Sequence, residues 1–443
     1  MTDERASSPL TFGQLSVWRV METYPLERWS ETYLRVCVPV PAGATTRQTV
    51  QAISVLCRRH ESLRTLFADS RVGPRQYVRP AEETVAVDVV EHDDPLVVAS
   101  QLAEKRLVRE HEFGRRFAVV TRRGLPQTVV IVVDHIVSDG SGLLRLMSEL
   151  TALLGGQTDT GHQLLAETPP TPGDLAAEQW SDNHASRRAS VVRHWQKLLA
   201  TLPEERFPIP RSDGDIPGRI EAVLHSTGAR AALQVLAART KASPQTLLLS
   251  LSAVAYASVT GTHRPVLTLQ SGNRFEPRWA FLVSSMNQYA PMPVDLGAPH
   301  AEFGDFLSRL QASAFKAYRM GSYDFDAITG LVRQERGIEL GFDQFFNYLP
   351  TDIAAQPAAH MDGHLPPRVV QDRPSRQIGP RLDIKVRHGA DMPVAIRADP
   401  RLLPAPQLKA LAGWFHEQLY RLADGTDSTV GEVADRCTKA LEG

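Results

Sequence analysis

Cysteine is too scarce in this chain to organise it. Of 443 residues only Cys37, Cys57 and Cys437 are cysteine, and they form neither a CxxC pair nor an even set. That pattern excludes a disulfide framework and points to structural thiols in a reducing compartment. Charge of one sign is lacking too: 49 Lys and Arg stand against 50 Asp and Glu, for a formal net charge of -1. No basic stretch is interleaved with aromatics, so nucleic acid is not an expected partner. No apolar run approaches the ~20 residues of a membrane-spanning helix, and Met1 to Pro9 has no apolar signal core. The expectation is a cytoplasmic protein without a membrane partner. No GxxxxGK[ST] or GxGxxG run opens a helix, which argues against nucleotide binding and with it an adenylating activity.

What is present suits a large α/β protein. Apolar residues make up 42% of the chain, enough for two cores, and its length favours two lobes over one. Thr45 or Thr46 can cap a helix carrying Val50, Ile53, Leu56 and Cys57 and ending near His60. Alternation over Thr84 to Val89 predicts a strand, Pro95 to Glu112 a helix, and Phe117 to Val120 and Thr128 to Asp134 two more strands. Between Gly155 and Gly218 the composition turns to Pro, Gly, Asp and Thr around one expected helix, Asp174 to Ala200. A second α/β pattern follows. Its expected strands are Ile220 to His225, Val266 to Gln270, Phe342 to Leu349, Leu382 to Arg387 and Val394 to Ala398. Its expected helices are Ala229 to Thr240, one beginning at Ser243-Pro244, Phe303 to Tyr318, and Pro406 to Leu422. Asp352 to Pro380, rich in Pro, Gly, Ala and Arg, reads as a long exposed loop.

One run carries most of the chemical information. Thr128 to Val133 is β-branched and suits a buried strand, while Leu143, Leu146, Met147, Leu150 and Leu154 repeat at helical spacing. Between them, Asp134-His135-Ile136-Val137-Ser138-Asp139-Gly140 forms a strand-to-helix turn. It offers His135 as a proton acceptor near neutral pH on a rigid support. A histidine at the end of an apolar strand is more often a hydrogen-bonded core residue, so the surrounding pattern has to decide.

That pattern resembles the nonribosomal peptide synthetase condensation domains and related acyltransferases, whose signature is HHxxxDG. Further segments match in the family's order. Leu10-Thr11-Phe12-Gly13-Gln14-Leu15-Ser16-Val17-Trp18 resembles the opening Gln-and-Trp motif. Arg59-His60-Glu61-Ser62-Leu63-Arg64-Thr65-Leu66-Phe67 is similar to the RHExLRTxF motif. Gly272-Asn273-Arg274 resembles the Asn-Arg motif, Met286-Asn287-Gln288 a degraded VNT segment, and Ser322-Tyr323-Asp324-Phe325-Asp326 the DYPFE-like segment. The resemblance implies an α/β fold of two chloramphenicol-acetyltransferase-like lobes, residues 1–175 and 176–443, in a V-shaped pseudo-dimer with an active-site tunnel at their junction. It also implies a lobe-crossing latch within 352–380.

The implied activity is condensation by a free-standing acyltransferase. An acyl or aminoacyl thioester on the phosphopantetheine of a carrier protein acting in trans meets an amine or hydroxyl acceptor, itself a small molecule or carrier-bound. An amide or ester results, and the chain binds no cofactor of its own. His135 matches the catalytic histidine, and Asp139 the structural aspartate that pairs with an arginine of the second lobe, for which Arg274 is the match. Gly140 fills the tight turn. Asp134 stands where the family has its first histidine; alternation along a strand aims it away from His135, so it is not placed as a triad carboxylate. Ser138 and Ser141, the latter where the family often has tryptophan, are possible modulators; neither lies in a GxSxG elbow, which disfavours a serine hydrolase. His360 and His364 are four apart, but Gly363, Pro366 and Pro367 oppose the helix a metal pair would need, so no metal is expected. The alternatives are an acyl-CoA-dependent transferase, a non-catalytic recruiting domain, and an epimerase using Glu276 or Glu302 as second base.

Overall fold

A β-branched run is stable in a strand when both its faces are covered, and the run before His135 obtains that. The computed structural model of the chain describes residues 7–155, 163, 165–202, 218–349, 368–375, 379–387, 391–426 and 428–443. The first elements are β1 (Ser7–Pro9), α1 (Phe12–Glu22), β2 (Leu34–Pro39), α2 (Thr46–Arg59), β3 (Thr65–Ala68), β4 (Arg75–Val78), β5 (Asp88–Glu91), α3 (Pro95–Glu104), β6 (Arg115–Arg122), β7 (Leu125–Val133), α4 (Gly140–Gly155), α5 (Pro172–Trp180) and α6 (Ala185–Thr201). They continue with β8 (Arg219–His225), α7 (Thr227–Thr240), α8 (Pro244–Thr260), β9 (Val266–Ser271), β10 (Gln288–Pro293), α9 (Phe303–Arg319), α10 (Phe325–Arg336), β11 (Gln344–Tyr348), β12 (Arg368–Ser375), β13 (Leu382–Val386), β14 (Val394–Ala398), α11 (Ala405–Asp424) and α12 (Val430–Glu442). Among the described residues no helix is long and apolar enough to cross a membrane.

Contacts divide the chain into two compact units, and not by a single cut between 175 and 176. The first unit comprises Met1–Val192, Gly272–Gln288 and Ser322–Ile328; the second comprises Arg193–Ser271, Tyr289–Gly321 and Thr329–Gly443. The returning segments join the first unit because their polar groups bond there. Gln288 Nε2 donates to Ser16 Oγ at 2.7 Å and to the Tyr323 carbonyl at 2.8 Å, and Tyr323 N–H donates back to Gln288 Oε1 at 3.1 Å. Arg19 on α1 meets the Asp326 carboxylate in two 2.8 Å bonds. Trp279, Leu282 and Met286 pack with Leu175 of α5 in an apolar cluster.

In the first unit a sheet ordered β2-β7-β6-β5 places β7 in an interior position, and a second sheet is ordered β1-β4-β3. β7 is antiparallel to both neighbours, and Val129 to Val133 are wholly buried. Val130 and Val132 meet Val98, Ala99 and Ala103 of α3 on one face. Thr45 caps α2 in a reciprocal box with Gln48, and Thr11 caps α1 in the same way with Gln14. The second unit is built on a seven-stranded sheet ordered β10-β9-β11-β13-β14-β8-β12. Its core face carries Ala222, Leu224, Ile384, Val386, Val394 and Ile396 against the helices. Cys57 and Cys437 are buried, and burial pushes both thiols up to about 12; with Cys37 they are free and unbridged.

Several expected elements are corrected. α3 stops at Glu104 instead of Glu112, because Arg116 takes the carbonyls of Leu102, Lys105 and Arg106 and the Leu107 N–H goes to the Tyr33 hydroxyl at 2.7 Å. The helix expected from Asp174 to Ala200 breaks at Ser181 into α5 and α6. Of Thr84 to Val89 only the end is strand, since Val85 donates its N–H to Ser54 Oγ rather than to a neighbouring strand. Arg368–Ser375, expected as exposed loop, is β12, antiparallel to β8. The rest of the latch expected within 352–380, and the His360 and His364 pair, lie outside the described residues apart from Gly379 and Pro380.

The RHE stretch at the end of α2 is explained by Glu149 of α4, which is fully buried. Arg59 Nε and His60 Nε2 each lie 2.9 Å from Glu149 Oε2, and Arg145 Nε lies 2.6 Å from Oε1. Burial works to raise the Glu149 carboxyl, but bonds and charge from His60 and Arg59 hold it down at about 2. A carboxyl depressed from its ordinary value of about 4.3 stabilises the fold above that value and loses the contribution as pH falls towards 2; the limit is about 3 kcal/mol. In Glu149→Gln, Arg59 and Arg145 lose their counter-charge at every pH. The stability gap between wild type and Glu149→Gln, read from denaturant unfolding, should therefore be largest near pH 6 and narrow steadily from pH 5 to pH 3.

Candidate active site

The turn after β7 is built by Asp134. Its carbonyl accepts from Val137 N–H at 2.9 Å, and its Oδ1 accepts from Ile136 N–H at 3.0 Å, the short-range bonding that favours aspartate in turns. The carboxylate is 0% exposed and meets Arg109 in two bonds of 2.8 Å, to Nε and Nη2. The Arg109 guanidinium lies 4.7 Å from the Trp29 ring centre and 5.7 Å from that of Trp18, within range of cation–π attraction to both indoles. Burial, then the Asp134 charge, pushes the nearby Tyr33 phenol up. Asp134 thus organises the turn, and Arg109, 25 residues away, is a partner that no local pattern announced.

Asp139 closes the same turn. Its side chain caps α4, accepting from Gly142 N–H at 2.9 Å, while its carbonyl accepts from Leu143 N–H at 2.9 Å. The same carboxylate takes two bonds from Arg274, 2.6 Å from Nη1 and 2.8 Å from Nη2, and a third from Met286 N–H at 3.0 Å. Arg274 also donates to the carbonyls of Leu282 and Ser284, at 3.1 and 3.2 Å. Although it comes from the second half of the sequence, Arg274 belongs to the first unit with Asp139.

His135 is half-buried between these two aspartates, and its Nδ1 lies 3.4 Å from Ser285 Oγ. Ser138 is buried and donates to the Asp139 carbonyl at 3.0 Å, against the first turn of α4, where a side chain on Gly142 would meet it at 2.5 Å. Ser141 is half-buried in that turn, and Gly140 is its exposed first residue. The Asp324 carboxylate accepts the N–H groups of Asp326 and Ala327 where α10 begins, which accounts for the DYPFE-like segment as a helix start. Glu276 is exposed and engaged by Arg278 at 2.8 Å, and Glu302 precedes α9 in the second unit. A cavity of about 230 Å³ lined by His194, Lys197, Met292 and Lys316 lies within the second unit and contains none of the residues singled out from the sequence. What the first unit brings together is one imidazole on a turn pinned at both ends by buried ion pairs, an arrangement able to accept and return a proton.

A family model described as the condensation domain matches residues 9–434. The chain is 26% identical over 361 residues to the phosphinothricin tripeptide synthetase PhsC of Streptomyces viridochromogenes, covering 75% of this chain and 32% of that protein. The chain thus spans about a third of this curated relative's length. Two solved structures have TM-scores of 0.74: the condensation domain of the monacolin K polyketide synthase MokA and the condensation domain that mediates chain release from the enacyloxin polyketide synthase. The first is 17% identical, covering 96% of this chain and 99% of that one; the second is 19% identical, covering 96% and 84%.

Putting the family's usual histidine back at position 134 should damage the fold rather than improve the site. Asp134→His would strand the buried Arg109 charge, a loss of about 3 to 5 kcal/mol. Thermal or denaturant unfolding should show a marked drop for Asp134→His and a comparable one for Asp134→Ala; unchanged melting would show that the ion pair contributes nothing.

Proposed function

The chain belongs to the condensation-domain family, and on that premise we propose that it forms an amide or ester bond between a carrier-bound acyl or aminoacyl thioester and an amine or hydroxyl acceptor. The family's fold has two chloramphenicol-acetyltransferase-like lobes, and condensation domains of nonribosomal peptide synthetases are generally acyltransferases. The observation that carries the proposal is His135, half-buried on a turn whose flanking aspartates are each locked to an arginine. Such a support holds an imidazole within the narrow geometry that proton transfer needs.

In the proposed reaction the acceptor's N–H or O–H hydrogen-bonds to the His135 imidazole as its lone pair attacks the thioester carbonyl carbon. The imidazole takes the proton while charge builds on the carbonyl oxygen. The C–S bond then breaks, and the proton passes to the departing thiol sulfur. Asp139, Gly140 and Arg274 hold the turn and do no chemistry. The donor is a thioester on the phosphopantetheine of a carrier protein supplied in trans, so the chain needs no cofactor of its own.

The test mixes the protein with separately prepared, acyl-loaded carrier proteins and a panel of amines and alcohols, with product read by mass spectrometry. His135→Ala should lower turnover roughly 10²- to 10⁴-fold without loss of folded protein, the usual worth of a positioned acid–base group. Equal turnover in wild type and variant would remove His135 from the chemistry. Turnover of acyl-CoA in place of the loaded carrier would reassign the donor. A complete lack of His135-dependent product across donors and acceptors would favour a recruiting role.

A further inference from the structure

We propose that the cavity between α6, β10 and α9 in the second unit is a binding site for a small organic anion, a carboxylate or phosphate head on a compact apolar body. It shares no residue with the candidate active site, and the proposal does not depend on the acyl transfer described above.

Two helices and one strand bring the lining together. His194, Lys197, Leu198 and Thr201 follow the spacing i, i+3, i+4, i+7 along α6, so they share one face of that helix. Ser313, Lys316 and Ala317 share a face of α9 in the same way. Both helices are anchored away from the cavity. Trp195 and Leu199 of α6 are buried, and Arg336 takes the carbonyls of Leu199 and Leu202 where the helix ends. α9 seats Phe306, Leu310 and Ala314 in the core. From β10, Pro291 and Met292 form a buried floor and Pro293 reaches the exposed rim.

The lining decides the kind of occupant. β10 is an edge strand of its sheet. Val294 donates its N–H to the Pro265 carbonyl at 2.9 Å, on the β9 side, so alternation turns positions 291 and 293 to the open edge. Both are proline and offer no N–H there, which prevents an extended peptide from adding as a further strand. At about 230 Å³ the cavity is below the ~300–1,000 Å³ of sites for drug-sized ligands, so the occupant is compact. Its charge follows from the polar groups. Lys197, Lys316 and His194 surround an apolar floor of Leu198, Met292 and Ala317, and no carboxylate lines the cavity. Among the described residues none of these three basic side chains has a hydrogen-bond or ion-pair partner. Burial, then the Lys316 charge, pushes the half-buried His194 imidazole below its ordinary pKa, so the two helices share one positive field without a side-chain anion to balance it. A carboxylate or phosphate matches these donors, and an apolar body on it matches the floor.

The test titrates the full-length labelled protein with benzoate and with phenyl phosphate, using inorganic phosphate and benzyl alcohol as the head and the body alone. Affinity is read from the His194 ring signals in ¹H–¹⁵N spectra, assigned through the His194→Gln variant, so that binding elsewhere in the molecule does not count. At least one aryl anion should shift these signals saturably and raise the His194 pKa, because an adjacent anion favours the imidazolium. Which of the two binds more tightly tells a carboxylate site from a phosphate site. Inorganic phosphate and benzyl alcohol should each bind at least about tenfold more weakly, since each lacks half of the match. Lys197→Gln and Lys316→Gln change exposed side chains, so the fold is retained, and each should weaken the aryl anion on the order of tenfold, the loss of one charge-assisted hydrogen bond. Three results would overturn the site: His194 signals unmoved by both aryl anions, either fragment alone binding as tightly as the better aryl anion, or wild-type affinity in both lysine variants.

Discussion

A single carboxylate, that of Asp139, does three jobs with two oxygens. It caps α4 through Gly142 N–H, neutralises Arg274 through two bonds, and holds Met286 N–H. Each partner is a donor, two of them on a cation, and the site is nearly dry, so the bonds are charge-assisted and strong while the alternative of an unpaired charge is severe. Everything at the candidate site is measured from this point. The turn carrying His135 is fixed relative to α4, the segment carrying Ser285 is fixed relative to the turn, and Arg274 gathers the carbonyls of Leu282 and Ser284 into the same frame.

The other aspartate of the turn shows how the same physics can be used to different effect. Most condensation signatures begin with two histidines; this chain has Asp134 and balances it with Arg109, a residue enclosed by Trp18 and Trp29. A buried ion pair of this kind gives little net stability against an apolar substitute, since desolvating both charges offsets their attraction. What it supplies is a fixed direction: with both oxygens engaged by Arg109 and Ile136 N–H, the turn has one conformation. The neighbouring imidazole is thereby oriented through the backbone, without a carboxylate placed as in a hydrolase triad.

Much of this was legible in the chain. β7, α2, β8, β14 and α11 were marked by alternation, by helical spacing and by the Thr45 cap, because local period and capping chemistry determine them. The ordered motifs pointed to the family and to His135, Asp139 and Arg274. Other features were not readable for physical reasons. Arg109 pairs with Asp134 across 25 residues with no periodic signal. Ser285 lies just outside the Met286-Asn287-Gln288 match, so no motif covers it. β12 is a polar stretch that becomes strand only because the edge of β8 is there to pair with it. The composition of two compact units depends on long-range bonds such as those of Gln288 and Tyr323, which no window along the sequence can see.

The first unit draws on three separate stretches of chain, ending with Ser322–Ile328. During synthesis from the N-terminus its first 192 residues emerge well before the segment that carries Arg274, Ser285 and Asn287. Until then Asp139 has no guanidinium to meet, since its partner lies 135 residues further on. Domains that are contiguous can fold as they leave the ribosome; this one must wait, and closing so long a loop is a slow step by topology alone. A nascent chain of this protein therefore exposes the Leu175 end of its apolar cluster and an unneutralised aspartate for the time taken to make the next hundred or so residues. The order of the motifs along the gene sets the period in which the chain most depends on assistance.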